Sequence, residues 1–162
     1  MQNIRAVDVL ENLDHLVNNL WSLFILLAIA IYSYRNVAYK SLAWIFLIQG
    51  IGVWLIRREN FHIGVSGIIY GLAGFLMVSG LIRKNNSLRA VSILVVLLHA
   101  GFLWGMMPEN FKISWEGHLS GFIGGVFCSL FYLHEGPGND NHPEWMEKED
   151  DEPETGTEYW HE

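Results

Sequence analysis

Gly64-Val65-Ser66-Gly67-Ile68-Ile69-Tyr70-Gly71-Leu72-Ala73-Gly74 opens an apolar run that continues to Ile82, and its reading decides the fold. Gly67, Gly71, Gly74 and Gly80 recur at helical spacing. A helix here presents nearly bare backbone to its neighbours and little side chain to lipid, so it belongs at the centre of a bundle. Ser66 stands at its head. Serines there commonly cap helices or line Gly/Ser-rich helix interfaces. The position also suits a nucleophile, because Gly64 and Gly67 leave room for a substrate backbone and the helix N-terminal amides favour a developing oxyanion.

Composition makes the neighbours membrane helices too. Of 162 residues, 51% are hydrophobic and 14% aromatic, with 7 tryptophans, and mean hydropathy is positive; that is too apolar for an ordinary soluble domain. A spanning helix needs about 20 mostly apolar residues, and five stretches approach that length, at roughly 15–33, 40–56, 65–82, 88–107 and 115–133. The expected class is therefore an all-α membrane protein, with a five-helix transmembrane domain over residues 15–134. Residues 1–14 are expected to form a short extracytoplasmic N-terminal segment without the apolar core of a signal peptide.

The net charge of −7 divides unevenly: residues 135–162 hold eleven acidic side chains and one lysine, a balance of −10, leaving +3 for the rest. This tail, running through Glu147-Lys148-Glu149-Asp150-Asp151-Glu152, has no apolar periodicity and is expected to be disordered and solvated. Five cations (Arg35, Lys40, Arg83, Lys84, Arg89) fall on one side of the predicted spans and four (Arg5, Arg57, Arg58, Lys112) on the other. The positive-inside rule then makes the first side and the acidic tail cytoplasmic, with the Ser66 end outside.

A serine hydroxyl needs a base, and four histidines lie in or beside the apolar stretches: His15, His62, His99 and His118. His62 falls in the polar stretch that follows Arg57-Arg58-Glu59-Asn60, and His99 reads as a core histidine satisfied by a backbone group. His118 begins the last span on the same membrane face as Ser66, with Gly121 and Gly125 following at i+3 and i+7. Facing glycine stripes on the third and fifth spans would bring the two within hydrogen-bond reach, with Tyr70 one turn below Ser66 against the imidazole; such stripes are also common packing devices. His15 and Asn19 share one face of the first span near the same end and could donate to an oxyanion or simply bond between helices. Cys128, the single cysteine, reads as a small packing residue.

His15-Leu16-Val17-Asn18-Asn19, Gly64-Val65-Ser66-Gly67-Ile68-Ile69-Tyr70-Gly71 and His118-Leu119-Ser120-Gly121 with Gly125 together resemble the rhomboid intramembrane serine proteases, over about residues 14–134. The resemblance implies a rhomboid-like bundle. The five spans would correspond to the second to sixth of six core helices, and residues 1–14 to the end of the loop before them. It implies a Ser66–His118 catalytic dyad, an oxyanion hole of His15, Asn19 and the Ser66 amide, and Tyr70 supporting His118; Glu116 is then an interfacial charge. The implied activity is endopeptidase cleavage of transmembrane protein substrates in the lipid bilayer, near its outer face. The implied location is a bacterial inner (plasma) membrane, as a multi-pass protein whose site opens extracytoplasmically. No cofactor, metal or nucleic-acid partner is expected. An inactive rhomboid-like protein that binds membrane helices is the alternative, with a small transporter component third.

Overall fold

The computed structural model describes residues 6–56, 65–99, 101, 106 and 115–137, with side chains from Leu13 onward. Gly64, His62, Arg5, Arg57, Arg58, Lys112 and the acidic tail from 138 lie outside the described residues. Among those described, five helices and no strands occur: α1 (Ala6–Ser33), α2 (Ala38–Ile56), α3 (Ser66–Ile82), α4 (Asn86–Leu98) and α5 (Trp115–Phe131). Leu13–Ser33 and Ala38–Ile56 are long and apolar enough to cross a membrane, while α3 and α4 are shorter apolar helices.

Two boundaries differ from expectation. α1 begins at Ala6, so residues 6–14 are helical rather than the end of a loop. Ala6, Leu10, Leu13 and Val17 continue the helical period while Asp8, Glu11 and Asp14 interrupt the apolar run; a search for continuous apolarity stops short where an amphipathic helix does not. α4 ends at Leu98, with His99 as its C-cap and Gly101 in a turn. His99 is thus half-buried at a helix end, not deep within one, and its Nδ1 lies 3.3 Å from the Val95 carbonyl oxygen.

α3 is the central helix and touches each of the other four. Its residues Gly67, Ile69–Leu76, Ser79 and Gly80 are buried. Leu72, Phe75 and Leu76 meet Leu26, Ala30 and Tyr34 from the α1 side and Leu88 and Val95 of α4 in one core cluster. Its glycines explain its closest contact. A Cβ on Gly121 would collide with the Gly67 carbonyl, and one on Gly125 with the Gly71 carbonyl and the Phe75 nitrogen. α3 and α5 therefore meet backbone to backbone, in register over one full turn. α2 closes the same groove: a Cβ on Gly52 would collide with Ser120, and Gly124 packs against Ile48.

The opposite end of α3 is tied by a buried cation. Arg83, 6% exposed, donates through Nη2 to the Tyr132 carbonyl at 2.6 Å, through Nη1 to that of Pro137 at 3.2 Å and through Nε to Ser79 Oγ at 3.1 Å. It thereby adds a second donor to the Tyr132 carbonyl just past the end of α5, which also accepts from the Glu135 amide at 3.1 Å. The guanidinium also lies over the Tyr34 ring, 5.6 Å from its centroid. Burial raises the Tyr34 phenol above its ordinary value, so the ring faces the cation uncharged. Asn85 then caps α4, its Oδ1 accepting from the Leu88 amide at 2.9 Å.

Replacing Gly125 by Val should destabilise the bundle by about 1–3 kcal/mol or more, because its new side chain meets backbone that cannot rotate away. Gly50, which has nothing within 4 Å of its Cβ position, should gain about 0.5–1 kcal/mol as Ala. Unfolding in detergent micelles measures both; equal effects at the two positions would refute the backbone-contact account. By the same assay Arg83→Met should cost about 1–3 kcal/mol, because it removes the bonds to Ser79, Tyr132 and Pro137 at once. Lys40→Met removes the exposed 2.7 Å ion pair to Glu135 and a 5.6 Å approach of the ammonium to the Tyr132 ring, and should shift the midpoint far less than Arg83→Met.

Candidate active site

Ser66 is the first residue of α3, after Val65 in αR geometry (φ −54, ψ −24). The Ile68 and Ile69 amides already bond to the Val65 carbonyl, at 3.0 and 3.2 Å. The Ser66 and Gly67 amides belong to the first turn and have no acceptor within the helix, whose positive dipole end lies beside them. His118 sits in the first turn of α5. Its Nε2 lies 2.9 Å from Ser66 Oγ. With the proton on Nδ1, Nε2 accepts from the serine hydroxyl, the polarity that proton removal requires.

Tyr70 stacks on the imidazole. It lies four residues after Ser66, hence on the same face of α3, and its ring stacks on His118 with centroids 4.1 Å apart and planes 8° from parallel. Both residues are 6% exposed, so the stack fixes a ring plane that exposed histidines sample freely. Ser66 is half-buried. The Gly67–Gly121 and Gly71–Gly125 contacts run directly below the pair. Glu116 is buried, and its backbone carbonyl accepts from Ser120 Oγ at 2.6 Å; it is the acidic residue of the first turn of α5, where a carboxylate suits the helix dipole.

A serine and a histidine are thus joined across the first turns of two glycine-packed apolar helices, and comparison with known proteins places the chain in a family. The rhomboid domain family model matches residues 9–135. The chain belongs to the rhomboid family. It is accordingly an integral membrane protein of a family made of intramembrane serine proteases and their inactive relatives. An uncharacterized protein of Mycobacterium bovis is 36% identical over 104 residues, covering 59% of this chain and 42% of its own. One from Mycobacterium leprae is 37% identical over 139 residues, 78% of this chain and 53% of its own. A protein of Acanthamoeba polyphaga mimivirus whose name describes it as a rhomboid protein is 37% identical over 82 residues, 49% and 42% of the two chains. The chain spans about half the length of the curated relatives it matches. No solved structure matches.

Not every residue suggested by the rhomboid resemblance converges on Ser66. Asn19 Nδ2 lies 3.1 Å from His15 Nε2, the two bonding to each other one turn apart on α1. Residues 13–18 are exposed throughout, and Asn19 is half-buried; among the described side chains of α1 the buried ones are Leu26 and Ala30, further along. Gln49 is the residue that motif reading passes over. It lies on the buried stripe of α2 with Ala38, Ser41 and Ile45, and a Cβ on Gly67 would run into its carboxamide. A polar side chain between Ile48 and Gly50 in an apolar span is the available signal.

Stacking at this distance places the His118 ring protons in the shielding cone of Tyr70. Tyr70→Leu should move the His118 ring resonances downfield in NMR spectra of the micelle-bound protein, and Tyr70→Phe should leave them near their original shifts. Identical spectra for all three would exclude the stack.

Proposed function

We propose that this chain is an intramembrane serine endopeptidase that cleaves transmembrane protein substrates through a Ser66–His118 dyad. The observation that carries the reading is the 2.9 Å approach of His118 Nε2 to Ser66 Oγ, held by the Tyr70 stack, in a chain of the rhomboid family. Ser66 Oγ attacks the scissile carbonyl as His118 takes its proton, and the imidazolium then returns that proton to the leaving amine. Water deprotonated by the same imidazole releases the acyl group. The Ser66 amide, which has no acceptor within its own helix, is one oxyanion donor, and His15 and Asn19 are the proposed others. No carboxylate is assigned to orient the base; the flat contact with Tyr70 takes that role.

Depth supports the substrate class. α3 has 17 residues, and at 1.5 Å per residue it is about 25 Å long, shorter than a hydrocarbon core of about 30 Å. Its head therefore falls below one membrane surface when its tail reaches the other. A peptide bond at that level belongs to a membrane helix that has locally unwound. Water must reach the same level, which polar groups lining a cavity allow. The charge count among the loops favours the extracytoplasmic side for this opening.

Ser66→Ala and His118→Ala should each lower cleavage of a reporter transmembrane substrate in proteoliposomes by about 10⁴-fold or more. Loss of one oxyanion donor in Asn19→Ala should lower it about 10²-fold. A fluorophosphonate should label the wild-type chain and neither dyad variant. Cleavage retained by Ser66→Ala would remove the nucleophile assignment, and an unlabelled wild-type chain would favour a rhomboid-like protein that binds helices without cutting them.

A further inference from the structure

Gln49 is 4% exposed and belongs to α2, which carries none of the residues assigned to the chemistry. Its companions on the buried stripe are Ala38, Ser41 and Ile45, small or apolar residues of the kind that pack membrane helices. A buried carboxamide in such a stripe is costly unless hydrogen-bonded, and an apolar side chain of the same size would fill the space without that cost. Its surroundings give the reason for its presence. A Cβ on Gly67 would collide with Gln49 Nε2, lie 2.5 Å from Gln49 Cδ and 2.7 Å from the Gly117 carbonyl oxygen. The Gln49 carboxamide, the Gly67 methylene and the Gly117 carbonyl therefore crowd around one point. Gly67 follows Ser66, and Gly117 precedes His118.

We propose that Gln49 is a positioning residue for the Ser66–His118 pair, holding the first turns of α3 and α5 together from the α2 side; this rests on the protease reading above. A carboxamide offers two N–H donors and an acceptor with two lone pairs. That set suits a junction containing both the first-turn amides of one helix and a carbonyl of the next. The glycine contacts below the site fix how closely α3 and α5 approach. Gln49 fixes how their first turns sit along and around each other, where a displacement of about 1 Å is enough to lose on the order of 10²-fold in rate.

The test uses the full chain in proteoliposomes with Gln49→Met, which keeps the volume and removes the hydrogen bonding, and Gln49→Asn, which keeps a shortened carboxamide. Three quantities are read: the rate constant of fluorophosphonate labelling of the folded fraction, kcat and KM on a transmembrane reporter, and the unfolding midpoint. Labelling rate and kcat should fall about 10- to 100-fold in Gln49→Met with KM little changed, and Gln49→Asn should recover part of the loss. A structural role alone reduces how much protein labels, not how fast the folded protein labels. Wild-type rate constants in the folded fraction of Gln49→Met would overturn the positioning role while leaving the dyad intact. Absence of labelling in the wild-type chain itself would overturn the protease reading and the positioning role with it.

Discussion

Everything at the candidate site depends on two helices touching through their backbones. Gly67 and Gly71 on α3 face Gly121 and Gly125 on α5, and a single Cβ at Gly121 or Gly125 would strike a carbonyl across the contact. Both pairs are four residues apart, so the contact has one register, and a slip by one turn displaces the helices by about 5.4 Å. Ser66 lies one residue before the first glycine of its pair and His118 three before the first of its own. Their 2.9 Å separation is thus a geometric consequence of the glycine register rather than of the attraction between serine and histidine. One hydrogen bond contributes roughly 1 kcal/mol, too little to hold two membrane helices at a chosen distance.

Glycine spacing is also why so much of the site is legible in the sequence. Small residues at helical intervals on two apolar spans, each headed by a residue with acid–base or nucleophilic chemistry, encode both the contact and what it brings together. Tyr70 follows from the same periodicity, being one turn from Ser66. The illegible parts have a common cause: they depend on partners distant in the chain. Arg83 reads as a loop cation, because nothing in Ile82-Arg83-Lys84 foretells that the carbonyls of Tyr132 and Pro137 will surround it. Gln49 is visible as a polar residue in an apolar span, yet its neighbours at Gly67 and Gly117 emerge only once three helices have packed. The early start of α1 escapes a hydropathy reading for a different reason. Apolarity and helicity are separate properties, and residues 6–14 have the second without enough of the first.

The two ends of the bundle are built differently. At the α3 C-terminus, Arg83 joins Ser79, Tyr132 and Pro137, Tyr34 stacks edge-on against Phe75 with centroids 5.0 Å apart, and a short turn from Tyr34 to Ala38 links α1 to α2 through bonds of 2.8 and 2.9 Å. At the Ser66 end, residues 13–18 of α1 are exposed, and the His15–Asn19 bond is internal to that helix. Buried hydrogen-bonded charge and aromatic packing resist opening, while a helix segment with few buried contacts opens at little cost. Among the described residues that stretch of α1 is the least tied, and the proposed cleavage needs room at this end for both an unwound peptide and water. The rigid part that such a site also needs is supplied by α3 and α5, whose backbones cannot separate or slide without leaving the glycine register. For the proposed protease, His15 and Asn19, which bond to each other on an exposed stretch of α1, act as oxyanion donors only once substrate brings that stretch onto the bundle.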